Sequence, residues 1–215
     1  EKEVGRLKVE VAANKAKAQN SSVDIVEYPF TLSKNNAAEI IKGYDLVIDA
    51  TDNFSAKYLI NDVCVWLQKP VVFGAVSGYE GQVAIFNFSS DAKPTIHYRH
   101  LFPVQPAANE FATCEETGVI GVLPGIIGTM QAAEAIKLIA GLGQPLNNRL
   151  LTYNFLAARW YEIEMNSSAE VPLIDEHFIN TTNYQIVCDF TEADLEEMDI
   201  DEIDVSQFLN LKYDS

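Results

Sequence analysis

Along the first 165 residues, short apolar runs alternate with longer stretches in which apolar and polar positions recur at helical spacing. Residues 8–20 set alanine and valine among lysines with no breaker, which predicts a helix. Residues 23–28 alternate as a half-buried strand does. Ser33 is expected to cap a helix running to Lys42, with Gly43 as its stop. Residues 45–50 (DLVIDA) form a nearly continuous apolar run with acidic ends, the pattern of a strand buried on both faces of a parallel sheet. Thr51-Asp52-Asn53 then opens a helix to about Gln68, and a second apolar run follows Pro70 at residues 71–76. Strand, helix and strand with short links make the right-handed crossover unit of an α/β sheet. Residues 81–88 and 150–164 read as strands with antiparallel neighbours, so the expected fold class is α/β, a Rossmann-like mixed sheet with helices on both faces. A long loop spans residues 97–118, and a helix over 125–140 ends at Gly141 and Gly143.

The pattern changes after Met165. Of 31 acidic and 15 basic side chains, 13 acids but a single base, Lys212, lie in residues 166–215, and eight acids fall within residues 192–204. The formal charge of −16 therefore belongs mostly to an acidic linker or tail, and residues 1–165 form the expected domain. A net negative chain does not suit a phosphate backbone, so no nucleic-acid partner is expected. No run of about 20 apolar residues and no leader pattern stands out, which points to no membrane and a cytoplasmic protein. Cys64, Cys114 and Cys188 are odd in number and far apart, as suits a reducing compartment.

Ligands of open parallel sheets collect at the carboxyl ends of strands, and Asp52-Asn53 stands there after the 45–50 run. A carboxylate at that place can hold Mg²⁺ carrying a nucleotide, or it can cap the following helix. Cys114, in the long loop, is a candidate nucleophile or an inert thiol, and Glu115 and Glu116 oppose its ionisation. His97 and His100 have metal-like spacing but make only half a tetrahedral site. Arg99 between them suits an anion or a carboxylate.

Taken together, these segments resemble the MoeB/ThiF/HesA family, ATP-dependent adenylyltransferases of sulfur-carrier proteins within the ubiquitin-activating-enzyme superfamily. The resemblance rests on residues 4–10 (VGRLKVE), 45–53 (DLVIDATDN), 58–62 (YLIND), 81–83, Tyr98-Arg99, 114–119 (CEETGV), 125–137 (GIIGTMQAAEAIK) and 150–154, in that order. It implies ATP and Mg²⁺ as cofactors, and as substrate a small ubiquitin-like carrier whose terminal Gly-Gly carboxylate is adenylated, with sulfur transfer as a further step in some members. It implies Lys8 as the lysine at the ATP phosphates, Asp52 as the carboxylate that organises Mg²⁺, and Cys114 as the loop cysteine of thioester or persulfide chemistry. Asn53 and Arg99 join the nucleotide-binding candidates, as does Lys57, which stands where the family usually has an arginine. A homodimer is implied as well.

The resemblance also marks departures. The family's strand, glycine-rich turn and helix have no counterpart ahead of Glu1, and no Gly-x-Gly-x-x-Gly string occurs, so the first nucleotide-binding βαβ unit is expected to be missing and the chain to be part of a longer enzyme. His97 to His100 stand where many members have the first Cys-x-x-Cys pair of a zinc site, and the second pair is missing, so zinc is not expected. Residues 202–209 resemble the opening of a rhodanese-like domain. A competing reading is a non-catalytic module that binds a ubiquitin-like partner.

Overall fold

The computed structural model describes residues 3–88, 95–106, 118–166 and 170–184. In chain order these form α1 (Lys8–Gln19), α2 (Ala37–Ile41), β1 (Val47–Asp49), α3 (Phe54–Trp66), β2 (Val71–Ser77), β3 (Glu80–Phe86), α4 (Tyr98–Leu101), α5 (Val122–Ala140), β4 (Arg149–Asn154), β5 (Arg159–Glu164) and α6 (Glu176–Thr181). The strands make one sheet in the order β1-β2-β3-β4-β5, with β1 parallel to β2 and every other pair antiparallel. This is the mixed sheet that the sequence predicts.

Alternation along β2 and β3 decides the layers. Val71, Phe73, Ala84 and Phe86 enter one core with Tyr58, Leu59, Val63 and Tyr98, while Val83 and Ile85 enter a second with Leu123 and Ile127. Helices α2, α3, α4 and α6 therefore cover one face, and α5 the other. Each fully buried aliphatic or aromatic side chain here contributes about 1.5–3 kcal/mol, so the two-sided strands are the strongest determinants of the sheet. Helix α5 is long and apolar enough to cross a membrane by length and composition. Its buried stripe of Leu123, Ile127, Gln131 and Glu134 packs against the sheet, while Val122, Ile136 and Ile139 are exposed. It ends where Gly141 takes up φ +62°, the left-handed conformation that glycine adopts without strain.

Three expectations change. Residues 23–28 form no strand, and Val23 and Val26 are exposed. Alternation supplies a face, but a strand also needs a neighbour's backbone groups, and no described strand offers them there. Ser33 does not cap a helix that starts beside it. Its N–H donates to Asn36 Oδ1 (2.8 Å) and its carbonyl accepts from the Ala37 N–H (2.9 Å), which makes a turn that delays α2 to Ala37. The compact unit also continues past residue 165, to Gln185, because Met165, Ile174, Ile179 and Tyr184 are buried in the first core. Asp175 caps α6 by accepting from the Phe178 N–H at 2.8 Å. A second unit, Ile186–Ser215, lies outside the described residues, as do the acidic run, Cys188 and the 202–209 match.

Candidate functional site

The turn between β1 and α3 holds a set of buried polar contacts at a strand end. Asp49 closes β1 with its side chain buried. Its Oδ1 accepts from the Thr51 N–H (2.9 Å) and the Thr51 hydroxyl (2.6 Å), and its Oδ2 accepts from Lys57 Nζ at 3.2 Å. Lys57 reaches back from the first turn of α3, and its ammonium also donates to the Gly74 carbonyl on β2 (2.8 Å) and lies 4.7 Å from the Phe73 ring centroid. From the opposite face of the sheet, Gln131 of α5 donates through Nε2 to the carbonyls of Asp49 (2.7 Å) and Val72 (3.1 Å). Gly74 makes room for it, since a Cβ there would lie 2.4–2.6 Å from the Gln131 carboxamide.

Within this frame the two residues at the strand end separate. Asn53 is the N-cap of α3, with Oδ1 accepting from the Ala56 N–H at 2.8 Å. Asp52 is exposed and does not cap the helix. The Asn53 carboxamide nitrogen lies 3.5 Å from Asp52 Oδ1. A carboxylate beside a helix N-terminus, at the carboxyl end of a parallel strand, is a fitting donor for a hard cation that takes its remaining ligands from phosphate oxygens and water. Among the described residues no group of three or more His, Cys, Asp or Glu could hold a metal by itself. A cation here would depend on oxygens brought by a ligand.

The other sequence candidates lie elsewhere. Lys8 is the first residue of α1, and its side chain is exposed. Arg99 is interior: Nε and Nη2 donate to the two oxygens of fully buried Asp62 at 2.8 and 2.7 Å, and Nη1 donates to the Pro103 carbonyl at 3.3 Å. Its guanidinium sits between the rings of Tyr58 (4.7 Å) and Phe178 (5.2 Å). Burial pulls the Arg99 pKa down, but the bonds and charge of Asp62 outweigh this, and the net shift is upward. The Tyr184 hydroxyl also donates to Asp62 (2.7 Å), and burial and then Asp62 push that phenol up. The cluster clamps α6 and the following turn onto α3. Burial raises the Cys64 thiol to about 12, so it stays protonated and inert. Cys114 lies outside the described residues.

Asp49, Thr51 and Gln131 carry this geometry without having stood out as candidates. One signal was present for Gln131: residues 123, 127, 131 and 134 share a helical stripe, and a polar pair on the core side of an apolar helix needs buried partners.

Comparison with known proteins agrees with this architecture. A model of the ThiF family matches residues 1–173. A sulfur carrier protein adenylyltransferase of Thermus thermophilus is 42% identical over 177 residues, which cover 80% of this chain and 64% of that protein. The adenylyltransferase and sulfurtransferase MOCS3-1 of Zea mays is 43% identical over 166 residues, 77% of this chain and 35% of that protein. A probable adenylyltransferase/sulfurtransferase, MoeZ of Mycobacterium tuberculosis, is 34% identical over 192 residues, 89% of this chain and 48% of its own length. The chain thus spans between about a third and two thirds of these relatives. Among solved structures, E. coli MccB with MccA-N7isoASN superposes with a TM-score of 0.63 at 15% identity, over 78% of this chain and 51% of MccB, a likeness of fold.

Proposed function

The chain belongs to the ThiF family, and on that premise we propose that it forms part of an ATP-dependent adenylyltransferase acting on the terminal Gly-Gly carboxylate of a small ubiquitin-like sulfur-carrier protein. The observation that carries this reading is the division of labour at the end of β1: Asn53 caps α3, and Asp52 is exposed beside it. The relatives named as adenylyltransferases, of sulfur carriers in one case, support the substrate class.

In the reaction a carboxylate oxygen of the carrier attacks the α-phosphorus of ATP, the bond from that phosphorus to the bridging oxygen of the β-phosphate breaks, and pyrophosphate leaves. The products are an acyl-adenylate and pyrophosphate. A carboxylate is a poor electrophile until adenylation gives it AMP as a leaving group, and the barrier to adenylation lies in charge developing on the phosphates. Mg²⁺ bound with the nucleotide would offset part of that charge. Asp52 is the residue that would hold it, and exposed Lys8 supplies a point charge for the phosphates. Asn53 contributes indirectly, by fixing the N-terminus of α3. Sulfur transfer through Cys114 is the second stage of this proposal, and pairing of two copies its expected oligomeric state.

The test is carrier-dependent exchange of labelled pyrophosphate into ATP, measured on the protein expressed from its complete gene. Exchange is expected, and Asp52→Ala is expected to abolish it. No exchange with any carrier ending in Gly-Gly, or exchange unaffected by Asp52→Ala, refutes the reading. Calorimetric binding of a carrier that does not depend on Mg-ATP, together with no exchange, would favour a binding module instead.

A further inference from the structure

The frame behind Asp52 is built from both faces of the sheet, and Gln131 is the residue that joins them. It stands on α5, across the sheet from α3, and its carboxamide is buried with both N–H bonds directed at main-chain carbonyls. One of those carbonyls belongs to Asp49, whose side chain holds Thr51 by two hydrogen bonds and pairs with Lys57. The other belongs to Val72, and Lys57 takes the carbonyl of Gly74 on the same strand. Gln131 therefore grips the carbonyls of Asp49, at the end of β1, and of Val72, near the start of β2, from the α5 side, while Lys57 holds the Asp49 carboxylate and the Gly74 carbonyl from the α3 side. The chain leaves this grip at Thr51 and is caught again at Asn53, whose side chain caps α3. Asp52 is the single residue between the two fixed points.

We propose that Gln131 is a positioning residue for the nucleotide site: by holding the Asp49 carbonyl it sets the backbone from which Asp52 projects. This rests on the reading of Asp52 as the carboxylate of the Mg-ATP site. Its chemistry is particular. The site accepts a neutral double donor of this length and rejects a carboxylate, which would face two carbonyl oxygens with no proton to share. Lys57 acts in the same frame through Asp49, with its ammonium committed inside the fold. Gly74 is the companion requirement, because any side chain there would displace the carboxamide.

The test uses Gln131→Met, which keeps volume and flexibility and deletes only the hydrogen bonds. Mg-ATP affinity is measured by calorimetry on the protein from its complete gene, alone and combined with Asp52→Asn. Gln131→Met is expected to weaken Mg-ATP about tenfold, the scale of one lost hydrogen bond, and to leave carrier affinity within about twofold. In the Asp52→Asn background the same change is expected to cost less than about twofold, because the group it positions is gone. Without any nucleotide, the Thr51 amide is expected to exchange its hydrogen faster in Gln131→Met than in wild type. Gly74→Ala, which displaces the carboxamide without deleting it, is expected to reproduce both effects. An equal loss in the two backgrounds, or unchanged exchange at Thr51, overturns this proposal alone. Unchanged Mg-ATP affinity in Asp52→Asn by itself overturns the Asp52 reading and this one with it.

Discussion

Replacing Arg99 by methionine separates a cation that serves the fold from one that serves a ligand. The arginine forms a bidentate pair with Asp62, itself fully buried, and is enclosed by Tyr58 and Phe178. Methionine retains most of the volume and removes the charge, leaving a buried carboxylate whose remaining donors among the described residues are the Asn61 carboxamide and the Tyr184 hydroxyl. Breaking one side of a buried ion pair costs about 3–5 kcal/mol, whereas an exposed pair such as Arg149–Glu162 is worth about 0–1 kcal/mol. For a unit of this size each kcal/mol moves the melting temperature by about 2–4 °C, so Arg99→Met is expected to lower it by roughly 6–20 °C. Arg149→Met is expected to lower it by no more than about 4 °C. Adding Asp62→Asn to Arg99→Met, which removes the stranded charge and keeps an acceptor for Tyr184, is expected to recover part of the loss. Thermal unfolding followed by circular dichroism measures all of these. A melting temperature for Arg99→Met close to that of Arg149→Met, together with a raised KM for ATP, would refute the structural role and return Arg99 to the ligand.

Three further predictions follow from the same geometry. Asn53→Ala is expected to cost about 1 kcal/mol by removing the α3 cap, and Asp52→Ala, which leaves that cap in place, to cost less; urea unfolding of both variants checks this, and the reverse order would assign the cap to Asp52. In Gly81→Ala the new Cβ would lie 2.5 Å from Ile127 Cδ1 and Cγ1, which is expected to cost about 1–3 kcal/mol, with part of it restored in the Gly81→Ala/Ile127→Val double variant; additive losses would refute the contact. Burial, then His100 and Arg99, lower His97 from 6.5 to about 4, so the folded protein binds fewer protons than the unfolded chain between those values. The contribution of His97 is therefore complete above the unfolded value and lost as the pH falls through the folded one, and the stability gap between wild type and His97→Asn is expected to shrink on acidification. A gap that stays constant from about pH 7 to about pH 4.5 would refute this assignment.

The centre of the sheet was legible because β2 and β3 are buried on both faces, whereas β1, expected to be buried in the same way, lies at the edge of the described sheet with Ile48 48% exposed. The run DLVIDA and the residues of β2 and β3 needed no partner to be identified, and the helices between them began and ended within a few residues of the expected places. The strand expected at residues 23–28 failed for the opposite reason: its alternation was local, and its hydrogen bonds had to come from elsewhere. The boundary after residue 165 was illegible because Ile174, Ile179 and Tyr184 are few and irregularly spaced, and only their arrival on α3 makes them core.

The sequence by itself determined the mixed α/β class and the family resemblance, and it offered the string DATDN as the candidate place for a nucleotide site. It did not determine which way its charged residues point. Residues 57–64 of α3 are all buried, so helical phase could not mark Lys57 or Asp62 as interior. Their environment depends on Asp49, Gly74, Arg99 and Tyr184, which are distant in sequence or belong to other elements. Residue type states what charge is present, but the cost of burying it and the partner that offsets that cost exist only once the elements are packed. For the same reason Asp52 and Asn53, adjacent and similar in size, acquired different surroundings only when the turn placed Asn53 over the α3 amides and Asp52 at the surface.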